Sequence, residues 1–250
     1  MVLNIIDFNN NLKNSPKSSY SVYRNLELGH EIHVYNENSK LLKAAKYSMD
    51  NEVKSNLMQI HYSSTYEYYK LFLMLQIGGW FIESDSIFYS NNLNPEKTCP
   101  TYNLKEGNSN FISFCTWSPI FIKLDSITKF FLSKSLETLK IFIKENVFST
   151  DIDNIESYSH IRELPYQVIA SNFFPLDGLQ NLSLPFFSNI QKDYIHFSNV
   201  CIKDESIFKY FSPCDITKVN DANNVINLEK NKDISYYNKL FKFDTFKIMP

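Results

Sequence analysis

The sequence predicts an α/β fold: a mixed, mainly parallel sheet flanked by helices in a single domain. Three observations carry this expectation. The first 35 residues read strand, helix, strand, and that order with a helical connection specifies a parallel βαβ unit. Helical patterns go on alternating with short apolar runs along the chain. The chain of 250 residues is 44% hydrophobic with only five Gly and nine Pro, so it has material for a substantial core and no linker-like boundary.

Val2 to Phe8 is a mostly apolar run that reads as a buried strand, with Asp7 near its carboxyl end. Ser15-Pro16 opens a helix, with Ser as N-cap and Pro at the first helical position. Tyr20, Tyr23 and Leu26 recur at helical spacing, and Gly29 stands where a left-handed stop is wanted. Glu31 to Tyr35 alternates with period two and reads as the second strand. Asn38 or Ser39 caps a short helix through Tyr47, and another runs from about Asn51 to Ile60.

Ser64-x-x-Glu67 matches a capping box and opens a largely buried helix marked by Tyr68, Leu71, Met74, Leu75 and Ile77. Gly78-Gly79 ends it. Trp80-Phe81-Ile82 forms the next strand, and Glu83 and Asp85 follow at once. Asn91 to Asn110, with Pro95 and Pro100, reads as a long surface loop. Phe111 to Thr116 is a strand, and Asp125 caps a helix to about Glu145 that turns Ile127, Phe130, Phe131, Leu139 and Phe142 toward the core. Residues 151–165 carry no clear pattern. Tyr166 to Ala170 and Tyr194 to Val200 read as strands, and Lys230 to Pro250 mixes Lys with Tyr, Phe and Ile.

Charge and cysteine usage narrow the function. Lys and Arg number 25 against 27 Asp and Glu, so no global basic footprint marks a nucleic-acid partner. Cys99, Cys115, Cys201 and Cys214 form no C-x-x-C pair, which fits reduced thiols rather than a zinc knuckle or a disulfide framework. The N-terminus lacks a basic, apolar leader. The longest apolar stretch, Leu71 to Ile82, falls short of the ~20 residues of a spanning helix. A cytoplasmic location is expected, with contact at the inner face of a membrane left open by the Lys-aromatic tail.

The chemistry concentrates in Ser64 to Ser90. Paired carboxylates at the end of a strand can hold Mn²⁺ or Mg²⁺ against a phosphate, and open α/β sheets bind ligands at the carboxyl ends of their strands. Each residue also has a plainer reading. Glu67 can be the N3 half of a cap, Lys70 a solvated helix residue, and Glu83 and Asp85 an exposed turn. Gly78-Gly79 can be only a helix stop, His196 a satisfied core histidine, and Trp80 and Trp117 core or pocket-wall aromatics. His30, His33, His61 and His160 share no metal spacing.

The run Glu67-x-x-Lys70-x7-Gly78-Gly79-Trp80-Phe81-Ile82-Glu83-Ser84-Asp85 resembles the core motif of DXD-containing GT-A glycosyltransferases. These include family 32 enzymes, capsular-polysaccharide synthesis proteins and, more distantly, the clostridial glucosylating toxins. Their usual form is S-D-x-x-R, an apolar helix, then G-G-x-Y-x-D-x-D. Here Tyr66-Glu67 stands for Ser-Asp, Lys70 for Arg and Glu83 for the first Asp, with every spacing kept. Val168 to Leu176 and Tyr194 to Phe197 are similar to later family elements.

The resemblance implies a GT-A fold, with residues 1–90 forming the nucleotide-sugar half and 91–250 the acceptor-side half and C-terminal segment. It implies a retaining, metal-dependent hexosyltransferase using a nucleotide-sugar donor, a UDP-hexose by family precedent. The acceptor would be a glycan or glycolipid of bacterial surface polysaccharide or lipooligosaccharide. Asp85 would ligate Mn²⁺ or Mg²⁺, Glu83 would contact the metal or the donor ribose, and His196 would sit near the metal or the leaving group. Glu67 and Lys70 would hold the sugar and diphosphate, Gly78 and Gly79 would border them, and Asp7 and Phe8 would border the base. A non-catalytic sugar-nucleotide-binding protein and a toxin-like transferase acting on host protein stand as alternatives, the first because Glu and Lys replace the usual Asp and Arg.

Overall fold

The computed structural model describes residues 1–53, 62–90, 102–106, 109–113, 120–122, 124, 126–144, 194–197 and 216–250. Its centre is a five-stranded sheet. Strand β1 (Val2–Asp7) pairs in parallel with β2 (Glu31–Asn36) on one side and β3 (Gly79–Phe81) on the other. Beyond β3 lies β7 (Ile120–Ile122), antiparallel, and beyond β2 lies β9 (Phe246–Ile248), parallel. The fold is therefore α/β with a mixed, mainly parallel sheet. β7 and β9, from beyond residue 90, complete the sheet begun by the first 90 residues.

The first helix forms where the sequence places it. After a turn and the short α1 (Asn11–Asn14), α2 runs Pro16–Glu27, and the Ser15 hydroxyl accepts the Ser18 amide. Its end is a Schellman closure. Gly29, at φ +83°, lets its amide reach Leu26 O while the His30 amide reaches Asn25 O. Helix α3 (Lys40–Glu52) runs five residues past the expected Tyr47, so Asn51 and Glu52 belong to it. The rest of the helix expected to Ile60 lies outside the described residues.

Helix α4 (Tyr62–Ile77) begins before Ser64, so Ser64 lies in its first turn and not at the N-cap position. Gly78, at φ +60°, ends α4, and Gly79 at φ +82° starts β3. A Cβ on Gly78 would lie 2.9 Å from Leu124 Cγ and 3.0 Å from Ile122 O, so this corner needs glycine for packing as well as for φ.

Apolar residues fill both faces of the sheet, as a buried parallel sheet requires. On one face Leu3, Ile5, Ile32, Val34 and Trp80 pack under Val22 and Leu26 of α2 and Leu240 of α7 (Ser235–Leu240). On the other, Ile6, Tyr35 and Phe81 pack under α3, α4 and α5 (Ser126–Lys144). Leu132, Leu136, Leu139 and Ile143 are the buried face of α5, at helical spacing. Phe130, expected in the core, is exposed because it falls off that stripe.

A second, small sheet pairs β4 (Ser86–Phe88) antiparallel with β8 (Tyr194–His196), two short strands where a longer one to Val200 was expected at β8. Residues 198–200 lie outside the described residues. The stretch Asn91–Asn110, expected to be loop, holds β5 (Tyr102–Glu106), which pairs with β6 (Ser109–Ser113). The alternation Tyr102-Asn103-Leu104-Lys105 carried that strand, beneath the Pro and Asn content before it. The expected strand Phe111–Thr116 starts two residues earlier. Tyr166–Ala170, Val168–Leu176, Trp117, Asp125, His61, His160 and all four cysteines lie outside the described residues.

Two residues of the first βαβ unit hold β4. Asn25, fully buried on α2, donates to Ser86 O at 2.8 Å and accepts the Phe88 amide at 2.8 Å, standing in for a neighbouring strand. His30 Nε2 lies 2.7 Å from Phe88 O. A carbonyl only accepts, so Nε2 carries the proton, and burial pushes the imidazole pKa below its ordinary value. Helix α6 (Ile216–Asn231) closes this side. Its buried Asp221 accepts from Tyr20 at 2.6 Å, Arg24 at 2.9 Å and Tyr89 at 2.8 Å.

Among the described residues no helix is long and apolar enough to cross a membrane. Replacing Asn25 by Ala should cost about 3 kcal/mol, because it strands a buried N–H and C=O on β4. Urea unfolding measures this, and a loss under about 0.5 kcal/mol would contradict the role given to Asn25.

Candidate functional site

The order β3-β1-β2 means the chain moves outward one way from β1 to β2 and then returns to the other side of β1. That reversal is a topological switch point, and open α/β sheets bind ligands at such a point, at the carboxyl ends here of β1 and β3. Asp7 and Phe8 leave β1 on one side. Glu83-Ser84-Asp85 leaves β3 on the other, in a tight turn closed by the Ser86 amide on Glu83 O at 3.1 Å. The turn is not the exposed one that the plain reading allows, since Glu83 and Ser84 are each 8% exposed.

Glu83 is held by α4. Tyr66 donates its hydroxyl to Oε2 at 2.5 Å, and Lys70 Nζ lies 2.7 Å from Oε1. Lys70 is 3% exposed, so it is a buried partner and not a solvated helix residue. Tyr66 also meets the Phe8 ring edge-on at 6.3 Å, as Tyr69 does at 5.5 Å. Phe8, Tyr66, Glu83 and Lys70 thus form one continuous wall. Glu67, three residues before Lys70 and on the same side of the helix, is buried.

Asp85 is held by two elements, α2 and β8. His196 Nε2 lies 3.1 Å from Oδ1 and Lys17 Nζ 3.3 Å from Oδ2. The β4–β8 register sets Ser86 opposite His196, and the Phe197 amide bonds Asp85 O at 2.9 Å, so pairing of the small sheet delivers the histidine. Burial disfavours ionisation of Asp85, yet His196 and Lys17 beside it hold its carboxyl at about 2. Lys17 is itself positioned: its ammonium donates to Phe197 O at 3.1 Å and its amide to Glu229 of α6 at 3.0 Å. Ser84 reaches Ser18 of the same turn at 3.3 Å.

Beyond Phe8 a cleft of about 370 Å³ opens between β1, β2 and α3. Phe8, Leu42 and Tyr69 line its apolar side, and Glu37, Lys43 and Lys46 its polar side. Asn9 and Asn10, at φ +58° and +54°, turn the chain sharply after Phe8.

The structure therefore brings Lys70 to Glu83 and His196 to Asp85, with Phe8 against the same wall. Asp7 holds the turn that follows β1. Its carboxylate accepts the Leu12 amide at 3.0 Å, and burial, working against that bond, raises its pKa. Gly78 and Gly79 serve the α4–β3 corner, Gly79 leaving room for Asn4, which donates to Trp80 O at 2.9 Å. Trp80 is a core aromatic whose ring packs at a tilt against Phe88 and Phe121.

Sequence reasoning missed Lys17 and the Tyr66 hydroxyl. The signal for Lys17 was present: in an open α/β sheet the first turn of the helix after β1 faces the carboxyl edge, so a cation there is a ligand candidate.

A divalent cation at Glu83 and Asp85 does not fit these donors as placed. Each oxygen of Glu83 already accepts from Tyr66 or Lys70, and those of Asp85 face His196 and Lys17, so a cation would have to sit among positive groups already in place. Among the described residues no cluster of three or more His, Cys, Asp or Glu converges on a metal position.

Removing Lys70 strands a buried carboxylate. Lys70→Met should cost about 3–5 kcal/mol, and adding Glu83→Gln should restore part of it. A double-mutant cycle by chemical denaturation measures the coupling, and strictly additive losses would refute the pair.

The chain matches no protein-family model and has no significant match among curated proteins, so its function rests on this geometry.

Proposed function

We propose that the protein is a glycosyltransferase that moves a hexose from a nucleoside-diphosphate sugar, a UDP-hexose by resemblance, to a hydroxyl of a glycan or glycolipid acceptor. The fold on this reading is of the GT-A kind. The observation that carries the proposal is the cluster at the switch point. It gathers two buried acids, each with its own lysine, beside a cleft walled by Phe8 and Tyr69. An aromatic and apolar cleft with a few fixed polar groups suits a nucleoside, and lysines at the sheet's carboxyl edge suit its diphosphate.

In the reaction the bond between the anomeric carbon and the diphosphate oxygen breaks, and its electron pair leaves with the diphosphate. The acceptor oxygen bonds the anomeric carbon and gives its proton to the departing phosphate. Lys70 and Lys17 supply positive charge where the leaving group gains negative charge. Glu83, fixed by Tyr66 and Lys70, accepts hydrogen bonds from sugar hydroxyls, with Glu67 behind it. His196 keeps Asp85 in place. A polysaccharide or lipooligosaccharide acceptor at the inner face of a bacterial membrane fits a chain with no spanning helix among its described residues.

The full set of internal bonds on Glu83 and Asp85 also favours a second reading, a sugar-nucleotide binder without turnover. Release of UDP from UDP-hexoses, with and without glycan acceptors, separates the two. The proposal expects turnover that falls about 100-fold or more in Lys70→Met and in Asp85→Ala. Nucleotide binding with no release of UDP from any donor would overturn it in favour of the binder.

A further inference from the structure

Mn²⁺ or Mg²⁺ is what the motif at Glu83-Ser84-Asp85 leads one to expect, and Lys17 stands in its way. A cation bound to an Asp85 oxygen would sit about 2–2.5 Å from it. The Lys17 ammonium is already 3.3 Å from Oδ2. Two like charges would then lie about 4–5 Å apart in a site shielded from water, where their repulsion is weakly screened. Lys17 is not simply a counter-ion drawn to a vacant carboxylate. Phe197 O accepts from its ammonium, and Glu229 of α6 accepts from its amide. Lys17 and Asp85 are only 13% and 16% exposed, so the ammonium is built into the wedge between α2, β8 and α6. Glu83 offers no better place, because the Lys70 ammonium lies 2.7 Å from its Oε1 and would repel a cation in the same way.

We infer that the site binds its diphosphate without a divalent cation, with the Lys17 ammonium occupying the position beside Asp85 that a metal would take. The inference rests on the nucleotide-sugar reading for its ligand but not for its metal chemistry. Lys70 supplies a second fixed charge from the opposite wall. An ammonium gives one charge and directional N–H donors where a metal gives two charges and open coordination positions. The site therefore gains independence from metal supply and loses part of the charge stabilisation that a divalent ion provides.

Two measurements on the full chain test this. Mn²⁺ alone is titrated into the protein and free Mn²⁺ is followed by electron paramagnetic resonance. Wild type should bind no Mn²⁺ in the micromolar range. Lys17→Ala and Lys17→Gln, checked for folding by circular dichroism, should bind it about tenfold tighter or more, because the competing charge is gone. Micromolar binding by wild type, or no gain in either folded variant, overturns the inference. UDP binding is then measured by calorimetry in EDTA and in Mn²⁺. Equal affinity in wild type supports the inference, and so does a loss of about tenfold or more in Lys17→Ala with EDTA that Mn²⁺ restores. Binding of UDP that EDTA abolishes overturns it while leaving the nucleotide-sugar reading intact. Absence of UDP binding in both conditions overturns the reading, and the Mn²⁺ titration still decides the metal question.

Discussion

The buried backbone of β4 needs hydrogen-bond partners, and the geometry of the site depends on how they are supplied. β4 is three residues long and has one strand neighbour, β8. Its other edge faces helix α2, which has no free main-chain groups to offer at its middle. Asn25 supplies them with its side-chain amide, and His30 adds a third bond from just past the helix end. With β4 anchored, Asp85 is placed one residue before it and His196 across from it. The same helix carries Lys17 in its first turn. One helix thus fixes both the carboxylate and the cation that meets it.

Electrostatics at the switch point follow from that arrangement. Charges buried this deeply persist only when paired and hydrogen-bonded. Glu83 and Asp85 obey this by different routes. Glu83 is tied within the α4–β3 corner, a local device made by Tyr66 and Lys70 on adjacent turns of one helix. Asp85 is tied across the molecule, to a lysine from the first helix and a histidine from a late strand. The C-terminal α6 enters the same network through Glu229 on the Lys17 amide and through Asp221 on Tyr20 and Arg24. Residues about 200 positions from α2 therefore help to set the cation beside Asp85.

Much of this was legible in the chain, and the rest was hidden for identifiable reasons. Ser15-Pro16, Gly29 and Gly78-Gly79 are local signals with local causes, so the helix ends and the parallel βαβ unit could be read. The pairing of His196 with Asp85 could be foreseen only through a motif resemblance. Asn25 and His30 were unreadable because their partners lie about 60 residues away and nothing nearby marks them. Lys17 resembled an ordinary solvated first-turn lysine. Ser64 misled because a capping pattern can arise by chance inside a helix that starts two residues earlier. The strand at Tyr102–Glu106 was lost beneath neighbouring Pro and Asn residues. Asp7 has a structural use that the sequence did not show, since its carboxylate accepts the Leu12 amide of α1.

The central claim is that the carboxyl edge around β1 and β3 is a nucleoside-diphosphate site with cations of its own. A crystal structure of the protein soaked with UDP in the presence of EDTA tests it most directly. The uracil ring should lie against Phe8 and Tyr69, with the diphosphate within hydrogen-bond reach of Lys17 or Lys70. A nucleotide bound elsewhere, or one whose phosphates avoid both lysines, would contradict it.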